Sequence, residues 1–264
     1  MMSRMTFFLY GLFSIVVGLC EGLQVSSLSH VESYIPGEFQ QVKLTLFNDK
    51  EDVEIVELKL SHYACNSEGF HFFEELDSHP RSNLSWVRLG GNRIQIPPRE
   101  QISFFYTIQI PDDHSLQGSY WSVLLIEPSG IVKAPDSAPE QEGLLLNVKV
   151  RFAHHIVTTI GKGETKLKVT KKAVKEINGK KFLCIDVMNN GDFFIEPTLT
   201  LKLYNCAGKL DKTLETAQER LYPGSSQCYF LDISEFDFEE GKYKGFILLD
   251  GGNNHLFGSV FSYP

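Results

Sequence analysis

The chain has 264 residues, 42% of them hydrophobic, and carries 33 Asp and Glu against 25 Lys and Arg for a formal charge of −8. That length and apolar content suffice for one large domain or two of ordinary size with real cores. The acidic balance argues against nucleic acid, which rewards clustered Lys and Arg, and disfavours an anionic membrane surface.

In chain order, the first feature is Arg4 followed by an apolar run that includes Phe7, Phe8, Leu9, Leu12, Phe13, Ile15, Val16 and Val17. The run is about 13 residues, short of the roughly 20 that span a bilayer, so residues 1–22 read as a signal peptide. Gly18, Cys20 and Gly22 supply small residues around a cleavage site. An uncleaved anchor and lipidation of Cys20 are the alternatives, although Leu19 stands where a lipoprotein signal wants a small residue. No later stretch reaches span length, which implies no integral membrane span after leader removal. The expected location is periplasmic, extracellular or at the cell surface.

From about residue 23 the sequence alternates with a period of two, the mark of half-buried strands. Val42, Leu44 and Leu46 face one way; Ile102, Phe104, Tyr106 and Ile108 alternate again, as do Leu146, Val148, Val150 and Phe152. Val53, Ile55, Leu58 and Leu60 alternate with a slip that suggests a bulge. Turn signals at Pro36-Gly37, Asn48-Asp49, Gly90-Gly91, Pro97-Pro98 and Pro111-Asp112 punctuate them. Residues 211–220 are the one candidate for a helical turn. Short strands at this spacing point to a sandwich.

The plan is then written a second time. A strand ending at Asn48-Asp49 has its mirror in one ending at Asn189-Asn190-Gly191, and Ile96-Pro97-Pro98 is matched by Leu221-Tyr222-Pro223-Gly224. Each half then reaches a Gly-x-Tyr, Gly118-Ser119-Tyr120 and Gly241-Lys242-Tyr243. A Tyr entering a late strand after a tight corner belongs to immunoglobulin-like domains, where the ring packs in the core and the hydroxyl bonds back to the corner. The predicted fold is therefore all-β: two immunoglobulin-like β-sandwiches in tandem, residues 23–160 and 164–264, behind the leader. Two irregular stretches break the repeat, the aromatic and acidic residues 65–86 and the Pro- and Ser-rich residues 129–142.

These residues carry a resemblance. Tyr34-Ile35-Pro36-Gly37, residues 42–48, Ile96-Pro97-Pro98, and Ile110-Pro111 leading to Gly118-Ser119-Tyr120-Trp121 resemble the N-terminal domain of periplasmic pilus-assembly chaperones. They are also similar to WxL-interacting surface-protein domains of Gram-positive bacteria. The match covers about residues 23–160. It implies an exported binding role with another envelope or surface protein as partner. In the chaperones a first-strand Arg and a last-strand Lys anchor the client's terminal carboxylate. Here the first position falls near Glu32, so that Arg is missing, while Lys149 or Arg151 supplies the second cation.

No catalytic motif is present: Gly-x-Ser-x-Gly and His-Glu-x-x-His are both absent, and no cofactor is expected. No metal site is expected either. His154 and His155, placed at the end of a strand over residues 144–152, point to opposite faces and cannot share one ion, and His71-x-x-Glu74 has no third ligand. One of the two adjacent histidines should be packed and the other solvated. Asn83-Leu84-Ser85 fits a glycosylation sequon that matters only in a eukaryotic host. Export permits a disulfide; with Cys184, Cys206 and Cys228 in the second half and Cys65 in the first, at most one pair forms within the second half. The candidate partner-binding residues are Leu146, Val148, Lys149, Val150, Arg151 and Phe152, on the strand that the resembled chaperones lend to a client by β-augmentation. The competing reading is a structural stalk or adhesin-like module without a groove.

Overall fold

The computed structural model describes residues 22–66, 71–74, 79–129, 150–205, 207–234, 244–252 and 255–262. The leader, Leu146, Val148, Lys149 and Tyr243 lie outside them. Among the described residues the only helical element is a 3-10 turn at Leu84–Trp86.

Ten strands build the first sandwich. They are β1 (Leu23–Val25), β2 (Ser29–Tyr34), β3 (Phe39–Asn48), β4 (Glu54–Cys65), β5 (His71–Glu74), β6 (Val87–Leu89), β7 (Arg93–Ile96), β8 (Gln101–Gln109), β9 (Gly118–Pro128) and β10 (Phe152–Ile160). One sheet runs β1-β3-β8-β6; the other runs β2-β10-β9-β4-β5, with β7 also on β4. The predicted alternation is met: Leu44 and Leu46 on β3, Phe104, Tyr106 and Ile108 on β8, and Val56 and Leu58 on β4 meet Leu124, Ile126 and Ile156 in one core. On β4 the inward set is Val56, Leu58 and Leu60, while Val53 precedes the strand and is exposed. The slip in the sequence pattern is thus a strand that starts one residue later; its ladder to β9 runs unbroken from Val56 to Ser61.

The second sandwich has β11 (Leu167–Ile177), β12 (Lys180–Asn189), β13 (Thr198–Tyr204), β14 (Leu210–Glu215), β15 (Ser226–Asp232), β16 (Lys244–Asp250) and β17 (Leu256–Ser262). Its sheets run β11-β12-β15 and β14-β13-β16-β17. Leu183, Ile185 and Val187 face Leu199, Leu201, Leu203, Ile247 and Leu249 across its core, with Tyr229 and Phe261 filling the ends. Where the sequence predicts a helical turn over residues 211–220, residues 211–215 belong to the edge strand β14, which pairs with β13 and packs Leu214 on the core, and residues 216–220 form neither helix nor strand.

The repeat in the sequence is repeated in hydrogen bonds. Asn48 and Asn189 are both fully buried. Asn48 Nδ2 donates to the carbonyls of Asp52, Ile96 and Pro97, and its Oδ1 accepts from Lys50 N–H. Asn189 Nδ2 donates to Phe193 and Leu221, and its Oδ1 accepts from Gly191 N–H. In each half one side chain thus ties the end of a strand to the segment before the proline turn, β7 in the first and the bridge residue Leu221 in the second. The turn residue that follows is left-handed in both: Arg99 at φ 57° and Gly224 at φ 78°.

Of the strand placed at residues 144–152 by its alternation, residues 144–149 lie outside the described residues, Val150 and Arg151 belong to no strand, and the described strand β10 begins at Phe152 and ends at Ile160. Its middle, His154 to Thr158, is buried on both faces. A strand covered on both sides loses the period-two pattern, which is why the signal stopped where β10 starts.

Candidate functional site

Strand β10 is the hub of the molecule. It pairs antiparallel with β9 from Phe152 to Ile160, and parallel with β2 from His155 to Ile160 only. The reason lies in the first strand of the chain, which is divided between the sheets. Val25 pairs with Leu46 of β3, the amide of Ser26 still donates to Thr45 O at 2.9 Å, and the chain then crosses so that His155 N–H donates to Leu28 O at 2.9 Å. Upstream of His155 the outer edge of β10 has no strand partner among the described residues. In a ladder the residues that face one neighbour alternate, so the backbone groups of Ala153 point to the same edge as those of His155.

The two adjacent histidines do point to opposite faces, but both are buried, not one packed and one solvated. His154 turns inward: Nδ1 lies 2.9 Å from Ser27 O and Nε2 3.0 Å from the hydroxyl of Tyr106. A neutral ring with the proton on Nδ1 satisfies both, the ring donating to Ser27 and accepting from Tyr106. Burial lowers its pKa in the same sense. His154 therefore pins the crossing strand where it leaves β1.

His155 turns outward, yet the second sandwich covers it. Its Nδ1 is 2.6 Å from the hydroxyl of Tyr222, and its ring stands edge-on to Tyr63 at 4.7 Å. Burial pushes its pKa down to about 3, with Arg220 adding to the effect. Around it Tyr63, Trp121, Val123, Leu125 and Val157 of the first sandwich and Tyr222 and Phe194 of the second form a separate apolar cluster. A polar clasp closes the far side. Arg81 Nη2 and Asp192 Oδ1 pair at 2.7 Å, Ser119 N–H donates to Asp192 O at 2.8 Å, and Phe194 N–H donates to Ser119 Oγ at 2.9 Å. Gly118, read from the sequence as part of a tyrosine corner, has its own reason to be glycine. It sits at φ +85°, and a Cβ there would meet Asp192 O and Arg81 Nη1, each at 2.5 Å.

Of the expected partner-binding residues, Val150 is 40% exposed and Phe152 packs half-buried against the first core. Arg151 is not a free cation: its Nε pairs with Glu127 Oε1 at 2.8 Å on the outer face of the sheet. The two border an open groove of about 690 Å³ with Glu57, Lys59, Asn92 and Arg93, so its lining carries both charges. Glu32, at the position of the missing Arg, accepts a hydrogen bond from Gln40 Nε2. Tyr120 is half-buried, its ring 4.8 Å from Trp86 and beneath the Arg81 guanidinium at 5.9 Å, so it sits at the rim of the core and not within it. Asn83 is fully buried, its amide donating to Tyr120 O and Ile156 O, which takes the sequon out of reach of a glycosyl transferase on the folded chain. His71 is bonded to the Tyr63 hydroxyl through Nδ1 at 2.8 Å. The junction residues Arg81, Asp192 and Tyr222 escaped the sequence reading because nothing local marks them; their partners are more than 60 positions away.

Solved structures similar to this chain include pilus-assembly periplasmic chaperones. The class 5 fimbriae chaperone CfaA aligns over 92% of this chain and 100% of its own, at 12% identity and a TM-score of 0.47. The CsuC–CsuE chaperone–tip adhesion subunit complex of Acinetobacter baumannii aligns over 89% and 97%, at 12% identity and a TM-score of 0.46. A PapD-like domain of human CEP192 aligns over 62% and 99%, at 14% identity and a TM-score of 0.34. No family model and no curated protein matches the sequence. No residue role follows from likeness at this level.

Proposed function

We propose that this chain is an exported, non-enzymatic protein of the periplasm or cell surface that captures a strand of another envelope protein on the edge of β10. The observation that carries the reading is the division of the first strand. Because β2 covers β10 only from His155 onward, the edge of β10 from Phe152 to His154 faces no strand among the described residues. An open edge is a template for a further strand. The expected binding stretch continues upstream through Leu146, Val148 and Lys149. Val150 and Phe152 supply apolar contact, and Arg151 gives up or shares Glu127 when a carboxylate arrives. No helix among the described residues is long and apolar enough to cross a membrane.

The test exploits which way Ala153 faces. Ala153→Pro removes an N–H from the open edge and leaves the ladder to β9 its bonds. The expected result is an unchanged circular dichroism spectrum with loss of partner capture from an envelope fraction. In the wild-type complex, hydrogen exchange at residues 150–154 slows. Capture undiminished in the folded Ala153→Pro and Lys149→Ala/Arg151→Ala variants would point to the structural-module reading instead.

A further inference from the structure

The second sandwich carries a constellation of donors that client capture does not use. Strands β12 and β15 pair over seven registers, from Phe182 with Asp232 to Met188 with Ser226. Leu183, Ile185 and Val187 of β12 and Tyr229 and Leu231 of β15 point into the core. The alternate residues Cys184, Asp186 and Cys228 therefore lie on the other face of the sheet. Cys184 and Cys228 are joined in a disulfide with Cα atoms 5.9 Å apart, and Cys65 is a free thiol. Asp186 stands directly opposite Cys228, with its Oδ1 3.6 Å from Cys184 Sγ. The two sulfurs and a carboxylate oxygen lie within 4.8 Å of one another.

We propose that Cys184, Cys228 and Asp186 form, in the dithiol state, a binding site for a thiophilic d10 cation, zinc(II) or copper(I). Three features carry this. The donor set is right: thiolates at about 2.3 Å and a carboxylate at about 2.0–2.2 Å from a tetrahedral zinc would sit roughly 3.4–3.8 Å from each other. Cys184 Sγ and Asp186 Oδ1 already stand at such a distance, 3.6 Å, and the two sulfurs, bonded to each other in the disulfide, need only part by about 2 Å once reduced. The surroundings suit a held ion: both cysteines are buried, the Phe182 and Phe230 rings pack edge to face at 6.4 Å beside them, and the residue opposite Cys184 on β11 is the small Ala173. The sulfur–sulfur bond joins strands already laddered together, on the face away from the core, so the ladder can hold the donors near one another after reduction.

The chemistry balances with a thiol reductant. Two R–SH molecules become R–S–S–R, and their electrons and protons convert the disulfide to two thiols. Zinc then displaces both thiol protons to solvent, binds the two thiolates and one Asp186 oxygen, and takes water at the fourth position. Copper(I), softer and content with two sulfurs, needs Asp186 less.

The test uses the full chain with Cys20, Cys65 and Cys206 replaced by Ser, so that one thiol pair remains. After anaerobic reduction, cobalt(II) should give one equivalent of a thiolate-to-metal charge-transfer band that zinc displaces. Cys184→Ser should abolish it, and oxidised protein should show none. Asp186→Asn should weaken zinc by about tenfold or more while leaving copper(I) nearly unchanged. A weakening of both metals alike would contradict the assigned donor role of Asp186. Absence of the band in reduced protein that is folded by circular dichroism overturns the proposal, as does an equal band in the Cys184→Ser/Cys228→Ser variant. Should reduction unfold the second sandwich, refolding by zinc alone supports the site, and failure to refold in its presence overturns it.

Discussion

At the scale of single residues, a few buried polar side chains decide how the strands meet. Asn48 and Asn189 each add a side-chain donor to the carbonyls around the proline turn of their own half, Ile96 and Pro97 in the first and Phe193 and Leu221 in the second. Replacing either with Ala removes two or more hydrogen bonds and leaves a gap at a fully buried site, and we expect a loss of about 1–3 kcal/mol in urea unfolding. Asn189→Ala should act on the second sandwich and Asn48→Ala on the first. His155 makes the junction sensitive to acid. Its folded pKa, about 3, lies below its unfolded value of 6.5. Its contribution is therefore whole above about pH 6.5 and is lost as the pH falls toward 3, by up to about 4–5 kcal/mol. His155→Gln should flatten that part of a thermal-unfolding profile against pH; an unchanged slope would assign the acid sensitivity to other groups.

At the scale of elements, the Gly118-Ser119-Tyr120 corner couples two tasks. It opens β9, and it is the floor on which the Asp192 loop rests. Gly118→Ala both strains a left-handed backbone and drives a methyl into Asp192 O. We expect a cost of about 2–4 kcal/mol, with amide shifts at Asp192 and Phe194 in heteronuclear NMR spectra. Strand β10 shows why only part of the candidate site was legible. The alternation through Val150 and Phe152 is plain in the sequence, and it stops at His154 because the next residues are covered from both sides. What limits the cover of β10 by β2 to His155 and beyond is the crossing of the first strand at Ser26 to Leu28, where His154 bonds to Ser27 across 127 positions. No local pattern encodes such a bond.

At the scale of the whole molecule, the two sandwiches share an apolar seam that holds their relative orientation. Tyr222 is its keystone, with Trp121 at 4.8 Å, Phe194 at 4.9 Å and Tyr63 at 5.4 Å. Tyr222→Ala combined with Arg81→Ala removes the ring and the clasp together. Each sandwich should stay folded, since the two main cores contain neither residue. Small-angle scattering should then show a broadened distance distribution, with the docking weakened by about 3–5 kcal/mol for the ring alone. An unchanged profile would mean that the linking chain, and not the seam, fixes the orientation.

Alternation, turn residues and a twice-written order of Asn turn and proline turn were enough to determine an all-β chain of two sandwiches, because each reports a local geometry that the backbone must adopt. The tertiary structure alone decided that residues 211–215 make a strand and that Asn83 is buried. It also decided that Arg151 has a carboxylate partner, that Cys228 is the partner of Cys184, and that β2 pairs with β10 only from His155 onward. Each of these depends on which distant segment packs against the residue, and burial, pairing and charge neutralisation are properties of the contact and not of the chain position.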